Sequence, residues 1–462
     1  MESAMQVADN VAWVDANFGQ VDLRDKRLNR RLQILASNAL KQPQGSIVAQ
    51  NVNWADTKAA YRFYDNSNVT FDNVCDQHWQ QTRQTLPGRF LLICDTTEID
   101  HTNHKATAGL GMLGNGKGRG LQLHSCLMYD SVAKQLVGSA GAVIHYRKAV
   151  PKNETEMQRL NRLRESHVWG TLADQVGAAP DGCQWIHVWD RGGDNFEAMC
   201  HILLTKNEFV VRAGRLNRTV FNSEGESIPL QKAIEEAKNL GGYDIHLRAH
   251  EKEPARDAKI EVSMVRVTFP RPRHHSKWVK DCQVKAITVN VVIARELAPP
   301  KGRKRTFWVL LTTLPVSSLA DALQVIQDYE DRWLIEEYHK VIKSGCSIQI
   351  HALQTADRLE PLVGLLSVIG TRILQLKLIG RNQPEAKAKT HIPSHWIEAM
   401  QLARPRINFD NMTVYQFLRE IAKVGGFLAR KGDGEPGWIT IWRGMEFLMQ
   451  LIDGINLGRN AK

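Results

Sequence analysis

A short segment in the last third of the chain carries the residues best suited to chemistry. It reads Tyr-Glu-Asp-Arg-Trp-Leu-Ile-Glu-Glu-Tyr-His-Lys-Val-Ile-Lys and runs from Tyr329 to Lys343. At helical pitch, Tyr329, Arg332, Glu336, Lys340 and Lys343 fall within about 60° of one another on one helix face. Glu336 could there bind a metal ion while the neighbouring cations bind phosphates. The same stripe is also typical of a solvated charged face with i,i+4 pairs such as Arg332–Glu336, and the segment alone does not decide between the two.

Two aspartates stand where apolar runs end. Phe90-Leu-Leu-Ile-Cys is followed by Asp95, and Gln184-Trp-Ile-His-Val-Trp is followed by Asp190. Both runs predict buried strands, so both acids are expected at the carboxyl ends of strands, where open α/β sheets place their ligands. With Glu336 they would supply the oxygen ligands that Mg²⁺ prefers. Two such ions about 4 Å apart can activate an attacking water and stabilise a departing 3′ oxygen. Taken singly, each acid is more often a loop or cap residue, and the spacing of the three is a weak signal.

The elements that must position these acids predict an α/β core with a mixed sheet. Further strands are expected at Leu121–Tyr129, Gln135–Tyr146 and Glu208–Arg212, with a long charged helix over Asn153–Val176. A helix is expected from Leu319 to Lys343.

Helical segments are expected on both sides of this core. In the first 85 residues, Leu23, Leu28, Leu32 and Leu35 repeat near helical spacing after a capping Asp22, and a second helix begins near Asn53. The first helix also carries a basic set that would suit DNA binding, although a polar outer helix of a larger core gives the same pattern: Arg27, Arg30 and Arg31 belong to this set. Later helices are expected at about 360–380 and 414–458, with Gly/Pro interruption at 431–436.

Residues 213 to about 312 differ from the core. Glycine, proline and basic residues interrupt short β-rich runs at Lys259–Thr268, Gln283–Ala294 and Phe307–Thr312, which predicts a β-rich insertion. One of its basic clusters comprises Lys301, Arg303, Lys304 and Arg305.

Composition limits the class of protein. The 462 residues hold 60 Lys plus Arg against 49 Asp plus Glu, a net charge of +11, which favours a polyanionic partner such as nucleic acid. Seven scattered cysteines predict reduced thiols. The first residues lack the pattern of a signal peptide, and the apolar stretch Leu362–Ile369 is too short to span a bilayer. We therefore expect a cytoplasmic protein with no membrane partner.

Two other motifs could indicate a different kind of functional site. Gly109-Leu-Gly-Met-Leu-Gly114 matches the dinucleotide fingerprint, but it neither follows a strand directly nor opens a helix, so a flexible basic loop is the better interpretation. The pairs His101/His104 and His274/His275 lack partners at zinc-ligand spacing and are interpreted as polar loop residues.

The segment Tyr329-x(2)-Arg332-x(3)-Glu336-x(6)-Lys343 matches the Tyr-Arg-Glu-Lys signature of bacterial insertion-sequence transposases of the DDE type. The chain resembles this family, which includes the cut-and-paste transposase of transposon five, over essentially its whole length. The resemblance extends to Asp95-Thr-Thr, His124-Ser, Asp190-Arg with Asp194, Phe209-Val-Val-Arg212, Trp308-x-Leu-Leu-Thr, Ala60-Tyr-Arg-Phe and Gly425-Gly-Phe. It departs after Asp190-Arg, where this chain has Gly-Gly and the relative has Glu-Ala.

The resemblance implies a ribonuclease H-like core at residues 86–360, containing the insertion, with a DNA-end-binding helical domain at 1–85 and a helical dimerisation domain at 361–462. It implies that Asp95, Asp190 and Glu336 bind two Mg²⁺ ions, for which Mn²⁺ can substitute. By the same resemblance, Tyr329, Arg332, Lys343 and Arg212 contact phosphates, and Lys340 lies on the same cationic face. Trp308 occupies the position of a tryptophan that stacks on a flipped base; on sequence alone, a tryptophan packed in a strand core is equally consistent.

These residues predict a bacterial, nucleoid-associated DNA transposase. A homodimer would bind the terminal inverted ends of its element, cleave them through a hairpin and join the 3′ ends to target DNA. A non-catalytic regulator of transposition and another ribonuclease H-like nuclease are the alternatives.

Overall fold

The computed structural model describes residues 9–114, 116–247, 254–303, 305–382 and 384–460. Within these ranges, strands of one mixed sheet form the centre of the molecule. The strands are β1 (Gly88–Asp100), β2 (Gly111–Leu113), β3 (Gly118–Asp130), β4 (Gln135–His145), β5 (Cys183–Trp189), β6 (Glu208–Arg212), β7 (Thr219–Phe221), β8 (Ser227–Pro229), β9 (Lys238–Leu247), β10 (Arg256–Pro270), β11 (Ala286–Leu297) and β12 (Phe307–Thr312).

Helices precede, cover and follow this sheet. They are α1 (Asn10–Phe18), α2 (Lys26–Lys41), α3 (Trp54–Tyr64), α4 (Phe71–Arg83), α5 (Glu156–Asn161), α6 (Val168–Val176), α7 (Phe196–Leu204), α8 (Leu230–Glu235), α9 (Lys277–Asp281), α10 (Leu319–Asp331), α11 (Trp333–Lys340), α12 (Ala356–Asn382), α13 (Ala388–His391), α14 (Ser394–Ala403), α15 (Val414–Val424) and α16 (Trp438–Asn460).

The central part of the sheet has the order β4-β3-β1-β5-β6. β1 pairs antiparallel with β3 and parallel with β5, and β5 pairs parallel with β6. The sheet continues from β6 through β12, β11 and β10, so the β-rich insertion extends the same sheet. The predicted fold class, a mixed α/β core of the ribonuclease H-like kind with helical segments at both ends, is confirmed.

The N-terminal helices form as the sequence predicts. Asp25, three residues after the expected cap, accepts a hydrogen bond from the Arg27 backbone N–H and starts α2. Asn53 caps α3 at the predicted position by accepting from the Asp56 N–H. Leu32 and Leu35 are buried on the inner face of α2, which leaves its basic face outward.

Two predicted elements are wrong in extent. The helix expected over 153–176 is divided into α5, a 3₁₀ turn at Glu165–His167 and α6. Arg162 is extended at the end of α5, and the ring of His167 accepts from the backbone N–H of Arg164, which starts the 3₁₀ turn. The segment Gly109–Gly114, expected to be a flexible basic loop, includes the short strand β2, which pairs antiparallel with β3, and φ at Gly109 is +83°.

The long helix α12 lies inside the protein. Its sequence is apolar enough to cross a membrane and longer than the stretch expected from the sequence, but 89% of its most apolar window is buried within the fold, as in the core helix of a soluble protein. A Cβ atom at Gly364 would lie 2.9 Å from the Cys75 Sγ atom, so α12 and α4 approach closely there. All seven cysteines are free, as predicted.

Candidate active site

Asp95 and Asp190 lie on adjacent parallel strands. β1 and β5 pair with Ile93 opposite Val188, so continuing the register by two residues places Asp95 opposite Asp190. The strand-end position predicted for Asp190 is confirmed: it follows β5 directly and caps a 3₁₀ turn, accepting from the Gly192 N–H at 2.7 Å.

The strand-end position predicted for Asp95 is wrong. β1 continues to Asp100 because Thr96 and Thr97 pair with His124 and Leu123 of β3, so Asp95 lies inside the strand. Asp95 Oδ1 accepts a hydrogen bond of 2.7 Å from the Thr96 N–H. A rigid strand, in place of a loop, therefore carries this carboxylate.

Glu336 reaches the same place from α11. The Arg332 guanidinium joins it to the first aspartate: Nη1 donates to Asp95 Oδ2 at 3.0 Å, and Nη2 donates to Glu336 Oε1 at 2.7 Å. The side chains of Asp95, Arg332 and Glu336 are 22%, 14% and 32% exposed, so the group is partly sheltered from solvent. The structure thus brings together three acids that are far apart in the chain.

The electrostatics of Asp95 reflect this convergence. The pKa of Asp95 is raised from its ordinary value of 3.8 to about 6. Burial raises it most, the charges of Asp190 and Glu336 also raise it, and the Thr96 N–H and the Arg332 guanidinium act in the opposite direction. Three clustered carboxylates repel one another, and a hard cation is the ligand that their oxygens suit best.

The donor set fits a divalent cation by chemistry. Carboxylates carried by two neighbouring strands and one helix are the oxygen ligands that Mg²⁺ takes when phosphate and water complete its coordination. In the part of the chain that the structure describes, no group of three or more His, Cys, Asp and Glu side chains is arranged to hold a metal ion. The Arg332 guanidinium lies between Asp95 and Glu336 and pairs with both carboxylates.

The helix expected from Leu319 to Lys343 is confirmed in extent, but it is not one regular α-helix. α10 ends at Asp331, α11 begins at Trp333, and a π-helical turn follows at Val341–Gly345. At Arg332 the backbone makes i,i−3 hydrogen bonds, from the Arg332 N–H to Tyr329 O and from the Ile335 N–H to Arg332 O. The α-helical hydrogen-bond pattern is therefore interrupted at Arg332.

Tyr329 packs beneath the cations. It is only 5% exposed, and the guanidinium groups of Arg332 and Arg212 lie 5.7 and 6.0 Å from its ring centroid. Trp308, which is partly buried, meets the same ring edge-on at 5.2 Å. Arg212 ends β6 and donates to Phe307 O at 3.4 Å. Four of the sequence-predicted residues, Tyr329, Arg332, Arg212 and Trp308, thus form one aromatic and cationic cluster beside the acids.

The two predicted lysines diverge from that cluster. Lys340 is exposed and lies over the Trp333 ring at 5.1 Å. Lys343 belongs to the π-helical turn. Its pKa is lowered by burial, and the charges of Glu98 and Asp100 on β1 offset part of this shift. Lys343 therefore lies along the continuation of the strand that carries Asp95.

Three supporting residues lie outside the sequence-based site. The buried side chain of Asp328 accepts from Arg89, which joins α10 to the start of β1. Asp194 accepts from the backbone N–H of Gly214 at 2.6 Å and pairs with Arg218, which joins the loop after β5 to the chain after β6. His339 has a buried Nε2 atom that forms no hydrogen bond with any of the described residues. Burial, helped by Lys343 and Arg332, lowers the pKa of His339 to about 3. Of these three residues, only Asp328 had a signal in the sequence, because it is an acid on the apolar side of α10.

The basic residues of α2 differ in their contacts. Arg27 is 92% exposed and pairs with Asp25 at 3.0 Å, and Arg30 is exposed. Arg31 pairs with Asp56 of α3 at 3.1 Å, which stabilises the contact between the two helices. Lys304, from the basic cluster of the insertion, lies outside the described residues.

Two known protein families match the helical segments at the two ends of the chain. The transposase DNA-binding family matches residues 10–69, which include α1, α2 and α3. The Tn5 transposase dimerisation domain matches residues 368–462, from within α12 to the end of the chain. A DNA-binding segment and a dimerisation domain flank the sheet that carries Asp95 and Asp190. Both matches support a Tn5-like insertion-sequence transposase.

Proposed function

We propose that the chain cuts and joins DNA at the carboxylate site. Asp95, Asp190 and Glu336 would hold two Mg²⁺ ions, or Mn²⁺ in their place. When bound, these ions supply the activation of the attacking hydroxyl and the neutralisation of the departing 3′ oxygen. The observation that carries the proposal is the convergence of three acids from β1, β5 and α11, with burial and mutual repulsion raising the pKa of Asp95 to about 6.

The chain's cations would hold the substrate in line for displacement. Arg212, beside the Tyr329 ring, and Lys343, near Glu98 and Asp100 of β1, would contact phosphates near the scissile bond. Arg332 can form a bidentate contact with a phosphate. Tyr329 supports the two arginines through its ring. Lys340 extends the cationic surface along α11. Positioning and charge neutralisation account for most of the catalysis in phosphoryl transfer.

The reaction would proceed in successive phosphoryl transfers. Water first cleaves one strand at the element's end and leaves a 3′ hydroxyl. That hydroxyl attacks the opposite strand to form a hairpin, with Trp308 stacking on an extruded base. A second water opens the hairpin, and the free 3′ hydroxyl then attacks target DNA. In the two water steps a phosphodiester is hydrolysed to a 3′ hydroxyl and a 5′ phosphate, and in the two hydroxyl steps one phosphodiester is exchanged for another. None of these steps requires a nucleotide cofactor.

The assembly would be a homodimer that holds two element ends. Residues 10–69 match a DNA-binding family, and residues 368–462 match a dimerisation domain. Arg27 and Arg30 are the exposed arginines of α2, and we assign them to phosphate contacts in the end DNA.

The test is incubation of the purified protein with Mg²⁺, duplexes that carry the element's ends, and a target plasmid. The wild type should cleave the ends and join them to the plasmid. Glu336→Gln should keep end binding within about twofold and lose cleavage. Glu235→Gln, which removes an exposed carboxylate on α8, is the matched control and should act as the wild type does.

Other outcomes would overturn the proposal. Cleavage by Glu336→Gln would remove that residue from the site. Binding without cleavage by the wild type would support a regulator, and cutting of branched DNA without joining would support a different nuclease.

A further inference from the structure

Arg332 makes the contacts that a cation in the carboxylate site would make. Its two terminal nitrogens bind Asp95 Oδ2 and Glu336 Oε1, one from β1 and one from α11. The guanidinium is thus the cross-link between the strand and the helix of the site, and it offsets part of the negative charge there.

A divalent ion and this guanidinium compete for the same oxygen atoms. Mg²⁺ binds carboxylate oxygens at about 2.0–2.1 Å and needs lone pairs that point at it. An ion that took Asp95 Oδ2 and Glu336 Oε1 would lie within about 4 Å of the guanidinium, where two like charges repel strongly in a partly buried site. Metal loading through these oxygens therefore requires Arg332 to move away.

The attachment of Arg332 allows that movement. Its Nε atom is buried and forms no hydrogen bond in the described chain, so the head group is held by the two carboxylates and the Tyr329 ring. The residue stands at the break between α10 and α11, outside both regular helices. A DNA phosphate offers two charge-assisted hydrogen bonds in exchange for the two that would be lost.

We infer that Arg332 is a positioning residue that blocks the carboxylate site against divalent ions until a DNA phosphate draws its guanidinium away. DNA binding then precedes tight metal binding, and by linkage each ligand strengthens the binding of the other by the same factor. Without DNA, the protein would bind the metal only weakly. This inference rests on the proposed function of the three acids.

The test measures Mn²⁺ binding by the electron paramagnetic resonance signal of free Mn²⁺, with and without a duplex that carries the element's end. Without DNA, the wild type should bind Mn²⁺ weakly, and Arg332→Met should bind it about tenfold more tightly, a typical size for such coupling. The duplex should tighten Mn²⁺ binding by the wild type about tenfold and by Arg332→Met much less. Arg381→Met, which removes a mostly exposed arginine of α12, is the control and should follow the wild type.

The conservative variant adds a second test. Arg332→Lys keeps the charge but loses the planar fork that spans two carboxylates, so its Mn²⁺ affinity without DNA should lie between those of the wild type and Arg332→Met. If Arg332→Met fails to fold, the Kd of the wild type for the duplex is measured with and without Mn²⁺, and a ratio near one overturns the inference.

The possible failures are distinguishable. Equal or weaker Mn²⁺ binding by a folded Arg332→Met would refute the block and leave the proposed function standing. Equal Mn²⁺ binding by the wild type with and without DNA, together with normal cleavage, would also refute only the block. No Mn²⁺ binding by the wild type even with DNA would refute the proposed function itself.

Discussion

Replacing Asp95 by Asn should stabilise the metal-free protein at neutral pH, and the gain should depend on pH. The pKa of Asp95 in the folded protein is about 6, against 3.8 for an ordinary aspartate. Each pKa unit corresponds to 1.36 kcal/mol, so ionised Asp95 costs the folded state up to about 3 kcal/mol. This cost already includes the favourable contact with Arg332, because the pKa reflects all neighbours together.

The sign of the pH dependence follows from the raised pKa. The folded state binds the Asp95 proton more tightly than the unfolded state, so the cost is absent below about pH 3.8. It grows between pH 3.8 and 6 and is complete above pH 6. Asn has no proton to lose, so the stability of Asp95→Asn lacks this component.

The assay is calorimetric melting of both proteins in chelator from pH 4 to pH 8. For a chain of this length, 3 kcal/mol corresponds to about 3 °C in melting temperature. The variant should gain this margin between pH 4 and pH 8, while Asp181→Asn, at an exposed position before β5, should keep a constant difference from the wild type. A margin for Asp95→Asn that does not change with pH, or a variant less stable than the wild type at pH 8, would refute the convergence of the acids.

Two further predictions concern packing and substrate handling. A Cβ atom at Gly444 would lie 1.9 Å from Ile421 O, so Gly444→Ala should push α15 and α16 apart. The variant should lose about 1–3 kcal/mol or more of folding stability and form a weaker dimer in sedimentation experiments. The control is Gly454→Ala on the same helix, where an added Cβ atom meets nothing within 4 Å and the protein should melt at or above the wild-type temperature. Trp308→Ala should lose about 1–3 kcal/mol of stacking on an extruded base, a slowing of hairpin formation by roughly 5- to 150-fold on gels, with first-strand nicking kept; equal slowing of both steps would argue for a packing role against Tyr329.

The sequence was sufficient to predict the strands and helices that depend on the pattern of neighbouring residues. The apolar run before Asp190 predicted a buried strand of the right length and the place where it ends. For Asp95 the same reasoning stopped the strand too early, because Thr96 and Thr97 are polar in type but β-branched, and they continue the pairing with β3. The polar residues after Cys94 suggested that the strand ends there, but pairing with β3 extends it to Asp100.

Contacts between distant residues lay beyond the sequence. Arg332 could be placed one turn before Glu336 from spacing alone, but its second contact, to Asp95, joins residues 237 positions apart and depends on how α11 packs on β1. No glycine or proline lies at the break between α10 and α11, so the sequence did not predict it. The helix expected over 153–176 is interrupted at Glu165–His167, where the His167 ring accepts from the Arg164 N–H and Glu165 pairs with the distant Arg147.

The central claim is that Asp95, Asp190 and Glu336 together bind divalent ions on the DNA-bound protein. Anomalous diffraction from crystals of the protein with end DNA and Mn²⁺ tests it most directly. We predict manganese peaks within about 2.3 Å of oxygen atoms from all three carboxylates, with the Arg332 guanidinium on a DNA phosphate. Manganese bound elsewhere, or a guanidinium still joining Asp95 and Glu336 beside cleaved DNA, would contradict it.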